Sequence, residues 1–80
     1  MKIIFNEEAI KNLKKINRQT TQFLLKKIEN LKKYPSLTNI KKLKNHYPPY
    51  RYRIGTYRVL FDIENENIII FKIVHRKDAY

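Results

Sequence analysis

The stretch PPYRYRIGTYRVLF, residues 48–61, decides the reading of the fold. Arginine alternates with aromatic or apolar residues through Tyr50, Arg51, Tyr52, Arg53 and Ile54. Gly55, the only glycine of the chain, follows, and Tyr57, Arg58, Val59, Leu60 and Phe61 resume the pattern. Period-2 alternation on both sides of a short Gly-Thr break predicts strands over 50–54 and 57–63 joined by a tight turn. Successive side chains of a strand point to opposite faces. Tyr50, Tyr52 and Ile54 therefore share one face and Arg51 and Arg53 the other. In the second strand Tyr57, Val59, Phe61 and Ile63 oppose Arg58, Leu60 and Asp62. If the apolar side is covered, all three arginines emerge together. Like charges on neighbouring strands repel one another, so such a face calls for an anionic ligand.

Working outward, ENEN (64–67) reads as a turn into a further strand over 67–74. At the other end, KIIF (2–5) reads as a short strand and Asn6 as a helix N-cap, with Glu7 and Glu8 where the helix dipole favours anions. Ala9, Ile10, Leu13 and Ile16 recur at helical spacing. A break near Asn17 and Arg18 precedes a second helix, roughly 19–33, striped by Thr21, Leu24, Leu25, Ile28 and Leu31 and stopped by Pro35. Residues 36–49 read as irregular, anchored by Leu37, Ile40 and Leu43, with Pro48 and Pro49 barring central strand pairing there. The expected order is β-α-α-β-β-β. It describes an α+β fold: two N-terminal helices packed on a small, mainly antiparallel four-stranded sheet, one domain spanning residues 1–80.

Composition narrows the function. Eighteen Lys and Arg against seven Asp and Glu leave a net charge of +11, spread over both halves of the chain. A field of that sign favours polyanionic partners. Only five of the basic residues are arginine, and four of these, Arg51, Arg53, Arg58 and Arg76, lie in the second half. Arginine binds phosphate bidentately and stays charged when partly buried, which lysine does less well. The absence of cysteine excludes disulfides and thiolate chemistry, and two separated histidines make a structural zinc site a poor expectation. MKIIF is too short for a signal peptide and no apolar run approaches a membrane span, so a cytoplasmic location is expected.

No acidic residue occurs between Glu29 and Asp62, so neither a carboxylate pair nor a magnesium site flanks the arginine hairpin. A single glycine rules out a phosphate-cradling Walker loop. The groups able to move protons are His46, His75, Asp78, Tyr80 and the lysines, several of them gathered in the terminal VHRKDAY. No cofactor or metal is expected.

Together YRYRIGTYRVLFDI, IIIFKIVHRKDAY and the opening IIFNEEAIKNLKKI resemble the RelE toxins of the RelE/ParE toxin–antitoxin superfamily, along the whole chain. The resemblance implies a ribosome-dependent endoribonuclease that cuts messenger RNA in the A site without a metal, the ribose 2′-hydroxyl attacking the adjacent phosphate. It implies catalytic roles for Arg51, Arg53, Arg58, Arg76 and Tyr80, the last stacking on a base and helping to remove the 2′ proton. RNA binding is expected of Arg51, Arg53, His75 and Lys77, while Tyr47 reads as a lesser candidate contact. The best-known members carry lysines where this chain has Arg51 and Arg53. Because arginine cannot be deprotonated, the exchange favours charge stabilisation and leaves the general base open. A cognate antitoxin is implied as partner, alongside the ribosome and mRNA. The alternatives are a ParE-like inhibitor of DNA gyrase and a basic RNA-binding module without catalysis.

Overall fold

A computed structural model describes residues 1–78. Its elements are β1 (Ile3–Phe5), α1 (Glu7–Lys14), α2 (Arg18–Glu29), β2 (Ile40–Lys42), β3 (Tyr50–Ile54), β4 (Tyr57–Glu64) and β5 (Asn67–His75). Single 3₁₀ turns occupy Asn30–Lys33 and Arg76–Asp78. The strands form one sheet in the order β1-β5-β4-β3-β2.

This corrects the expected sheet. It has five strands rather than four, and it is mixed, because β1 runs parallel to β5 while the other neighbours are antiparallel. β2 escapes a pattern search because three residues, Ile40, Lys41 and Lys42, are too few to display alternation. The prolines do stay out of the sheet, since Pro48 and Pro49 fall between β2 and β3. Nor is helical structure confined to the N-terminal part, given the turn at Arg76–Asp78. The second helix also ends earlier than its stripe suggests, tightening into a 3₁₀ turn after Glu29.

Local chemistry sets the helix starts. The Asn6 side chain accepts from Ala9 N at 3.0 Å, while its own N–H donates to Ile70 O, so one residue caps α1 and closes the β1–β5 ladder. Asn17 caps α2 in the same way through Thr20 N at 2.8 Å. Beyond β1 the edge of β5 is covered by α1, where Asn12 Oδ1 accepts from Ile73 N at 2.9 Å. That bond satisfies an edge amide which would otherwise invite pairing with another chain.

The core lies between the helices and one sheet face. Ala9, Leu24, Ile28, Leu31, Tyr52, Ile54, Val59, Phe61, Ile68, Ile70 and Ile73 cluster there, while Ile10, Phe23 and Leu25 stay exposed. The ring of Tyr50 stacks on Phe61 with 5.3 Å between centroids and meets Tyr34 edge-on at 5.8 Å. A register shift at Leu60/Phe61 inserts one extra residue into β5. The insertion lets Ile68, Ile70 and Ile73 all face the core, a combination that strict alternation forbids. Among the described residues no helix is long and apolar enough to cross a membrane.

Two of these features can be measured. The β4–β5 turn places Asn65 at φ 51° and Glu66 at φ 65°, both left-handed. Glutamate resists that region by roughly 1–2 kcal/mol, so Glu66→Gly, creating the Asn-Gly pair favoured in such turns, should stabilise the fold by about 1 kcal/mol in urea titrations. Burial holds the Tyr52 phenol above its ordinary value, with a hydrogen bond to Asn30 opposing it. The folded chain therefore keeps a proton that the unfolded chain loses at about pH 10, and this contribution to stability is present below that pH and disappears as pH rises through the folded value. Unfolding free energy should fall above pH 10, less steeply in Tyr52→Phe than in the wild type.

Candidate nucleic-acid interface

The sheet face turned away from the helices is assembled by register. Lys41 pairs with Arg51, Arg51 with Leu60 and Leu60 with Lys72, forming one row across β2, β3, β4 and β5. The next row toward the hairpin turn contains Arg53, Arg58 and Val74. Two like-charged pairs, Lys41 with Arg51 and Arg53 with Arg58, thus stand directly opposite each other. Each such pair opposes folding by up to about 1 kcal/mol, whereas burying a side chain such as Phe61 stabilises by roughly 1.5–3 kcal/mol. Burial wins, and the cations are held together on the outer face.

The strain is visible at Arg51. Its Nε is buried and has no hydrogen-bond partner. A guanidinium nitrogen left dry without an acceptor is unfavourable, and an oxygen-rich anion is the ligand that would relieve it. Arg53 is exposed. Arg58 is half-buried, and its Nη1 donates to Gly55 O at 3.0 Å and to Tyr57 O at 3.1 Å. Those carbonyls lock the guanidinium at the β3–β4 turn. Gly55 makes the turn possible by adopting φ 57°.

The same turn receives the end of β5. Arg76 N donates to Thr56 O at 2.7 Å, bringing exposed Arg76 to the end of the sheet where Arg53 and Arg58 lie. The exposed Lys77 follows. His75 goes elsewhere: it pairs with Tyr57, their rings meeting edge-on at 5.4 Å, and lines a hollow with Asn12, Lys15 and Ile16 on the helix side. The structure therefore unites Arg51, Arg53 and Arg58, adds Arg76 at one end, and separates His75 from them. Tyr80 lies outside the described residues.

The loop preceding β3 folds over this outer face. His46, Tyr47 and Pro48 wall a cleft of about 240 Å³, whose other residues are Leu60, Lys72, Val74 and Asp78. Leu60 is buried although it lies on the solvent side of the sheet, because this loop covers it. His46 Nδ1 is 2.9 Å from Pro48 O, an arrangement that makes Nδ1 the protonated nitrogen in the neutral ring. On the far side of His46 a larger hollow of about 670 Å³ is lined by Lys41, Lys42, Leu43, Lys44 and Asn45. Sequence reasoning missed Lys41, and the faint signal was the apolar–basic step Ile40-Lys41 in a stretch read as loop. Among the described residues no group of three or more His, Cys, Asp or Glu is placed to hold a metal ion. What the face can do is bind a phosphate chain and stabilise added negative charge on it.

Residues 3–80 match the family described as the ParE toxin of the type II toxin–antitoxin system ParDE. Toxin RelE3 of Methanocaldococcus jannaschii is 30% identical over 84 residues, covering 100% of this chain and 96% of the relative. Among solved structures, the RelB–RelE antitoxin–toxin complex of Methanococcus jannaschii superposes with a TM-score of 0.73 at 28% identity, covering 92% of this chain and 91% of that one. The RelBE2 toxin–antitoxin complex of Mycobacterium tuberculosis gives 0.78 at 25% identity, covering 94% and 96%.

The orphaned Arg51 Nε supplies a test of the site. Arg51→Met keeps the apolar stem while removing the repulsion from Lys41 and the unsatisfied donor, so it should raise unfolding free energy by about 1 kcal/mol in urea. A loss of stability would mean that Arg51 serves the fold and not a ligand.

Proposed function

We propose that this chain, which belongs to the ParE toxin family of type II toxin–antitoxin systems and is a RelE-type toxin of the RelE/ParE superfamily, arrests translation by cutting messenger RNA in the ribosomal A site. The observation that supports cleavage is the gathering of Arg51, Arg53, Arg58 and Lys41 on one solvent face. In this reaction the ribose 2′-oxygen attacks the adjacent phosphorus, the bond to the 5′-oxygen breaks, and a 2′,3′-cyclic phosphate and a 5′-hydroxyl result. Negative charge grows on the non-bridging oxygens in the transition state. Fixed guanidinium groups stabilise it most when they need not reorganise, and Arg58, held by two carbonyls, meets that condition. Arg51 and Arg53 hold the backbone, and Arg76 serves the leaving side. Tyr80 and the cleft-lining His46 and Asp78 are the groups available to move protons. No metal enters the scheme. Lys77 extends the RNA contact, and His75, on the other face, would meet RNA only beyond the sheet edge.

The partner chain is a cognate antitoxin, as RelB is for RelE in the related complexes. A toxin of net charge +11 favours an acidic or amphipathic antitoxin segment, with association slowed by salt. Residues 1–80 act as one toxin domain in the cytoplasm, where ribosomes and messages meet. The second reading is inhibition of DNA gyrase, favoured by the ParE name of the matching family.

Primer extension on ribosome-bound message separates the two. Cuts within A-site codons are expected from the wild type, and Arg58→Ala and Arg76→Ala should each lower the rate about 100-fold or more while leaving the circular dichroism spectrum unchanged. Absence of cuts together with inhibited supercoiling by gyrase would overturn the nuclease reading.

A further inference from the structure

The outer face is divided electrically, and one aromatic side chain stands on the division. Toward the β3–β4 turn lie Arg53, Arg58, Lys41 and Arg51, while Lys72 of the same row is paired with Glu8 of α1, 3.6 Å away. Toward the β4–β5 turn the same face carries Asp62 opposite Ile69 and Glu64 opposite Asn67. Tyr47 projects between the two zones with 66% of its surface exposed, the largest exposure among the large hydrophobic residues described. Exposure of this kind usually goes with a mobile ring, yet this one is braced. Phe71, the residue next to the β5 register shift, meets it edge-on with 5.3 Å between centroids. Pro48 follows it in the chain and is buried. Desolvation, then the carboxylates of Glu64 and Asp62, hold the Tyr47 phenol above its ordinary value, so the hydroxyl lies against the acidic zone.

We infer that Tyr47 is a stacking platform for one unpaired nucleobase of the bound strand. A base has an uncharged π-face that every aromatic ring accepts, whereas its phosphate is repelled by Asp62 and Glu64 and attracted by the arginine rows. The division thus orients a nucleotide: base over Tyr47, backbone toward Arg51 and Arg53. The cleft beside the ring, walled by His46 and Pro48, gives the base a place to lie outside a helical stack. Stacking reads no hydrogen-bond pattern, so the platform is tolerant of base identity and acts by position. The inference adds a binding subsite to the nuclease reading and rests on its single-stranded RNA substrate, but not on cleavage.

The test uses the intact chain and a short single-stranded oligoribonucleotide carrying one 2-aminopurine, followed by fluorescence. Wild type should quench the probe on binding. Tyr47→Ala should bind about tenfold or more weakly and quench little, while Tyr47→Phe, which keeps the ring, should bind within about twofold of wild type. Because Tyr47 is so exposed, the alanine variant is expected to keep the fold, and unchanged thermal unfolding verifies this. Equal affinity of Tyr47→Ala and wild type, or no binding by wild type, overturns the platform. Loss in Tyr47→Ala of antitoxin affinity with RNA affinity intact overturns it too, by making the ring a peptide contact. If wild type cuts message and Tyr47→Ala cuts equally well with equal affinity, the platform fails while the nuclease reading stands. Binding and quenching without any cleavage uphold the platform while the nuclease reading fails.

Discussion

Burial of the apolar side of the β3–β4 hairpin controls nearly everything else in this molecule. Val59 and Phe61 are fully buried, and Tyr52 and Ile54 nearly so, in one cluster with Leu24, Ile28 and Leu31 of the helical layer. Each such side chain stabilises by roughly 1.5–3 kcal/mol, and a shift of one residue in register would expose them all and bury arginines instead. The arginines therefore have no choice of face. Their crowding is a by-product of the strongest stabilising term, tolerated because repulsion across a wet sheet surface is weaker by severalfold.

Around that hairpin the remaining parts act as supports. The single Gly55 lets the turn close, and the carbonyls of Gly55, Thr56 and Tyr57 then become anchors for Arg58 and for the Arg76 backbone. A loop that covers Leu60 supplies His46, Tyr47 and the cleft. The register shift in β5 reconciles three core isoleucines with an outer row of Lys72 and Val74, and puts Phe71 beneath Tyr47. A small fold with few residues to spare uses the same features for packing and for the site.

Several parts of this arrangement were legible in the residues alone. The helix cap Asn6, the break near Asn17, the strands near 50–54 and 57–63, and the grouping of Arg51, Arg53 and Arg58 follow from local rules: capping chemistry, period-2 alternation and turn-forming residues. Other parts were not. β2 is too short to carry a pattern, and its place at the sheet edge depends on pairing with β3, ten residues away in sequence. Without β2, Lys41 could not be placed opposite Arg51. The burial of Leu60 on the solvent side was hidden for a related reason, since it depends on where a loop settles. His75 was read with Arg76 and Lys77 because they are adjacent in the chain, but the register with Tyr57 sets its ring on the helix side.

The sequence by itself determined the charge, the two amphipathic helices, the alternating hairpin and the membership of the family, because each is a property of neighbouring residues or of their spacing. Tertiary structure alone decided the parallel β1–β5 pairing, the fifth strand, and the covering of Leu60. It also decided that His75 sits against Tyr57 on the helix side and that Phe71 meets Tyr47 edge-on. These depend on contacts between distant segments, whose free energy is settled only when the core has formed and the register of the whole sheet is set.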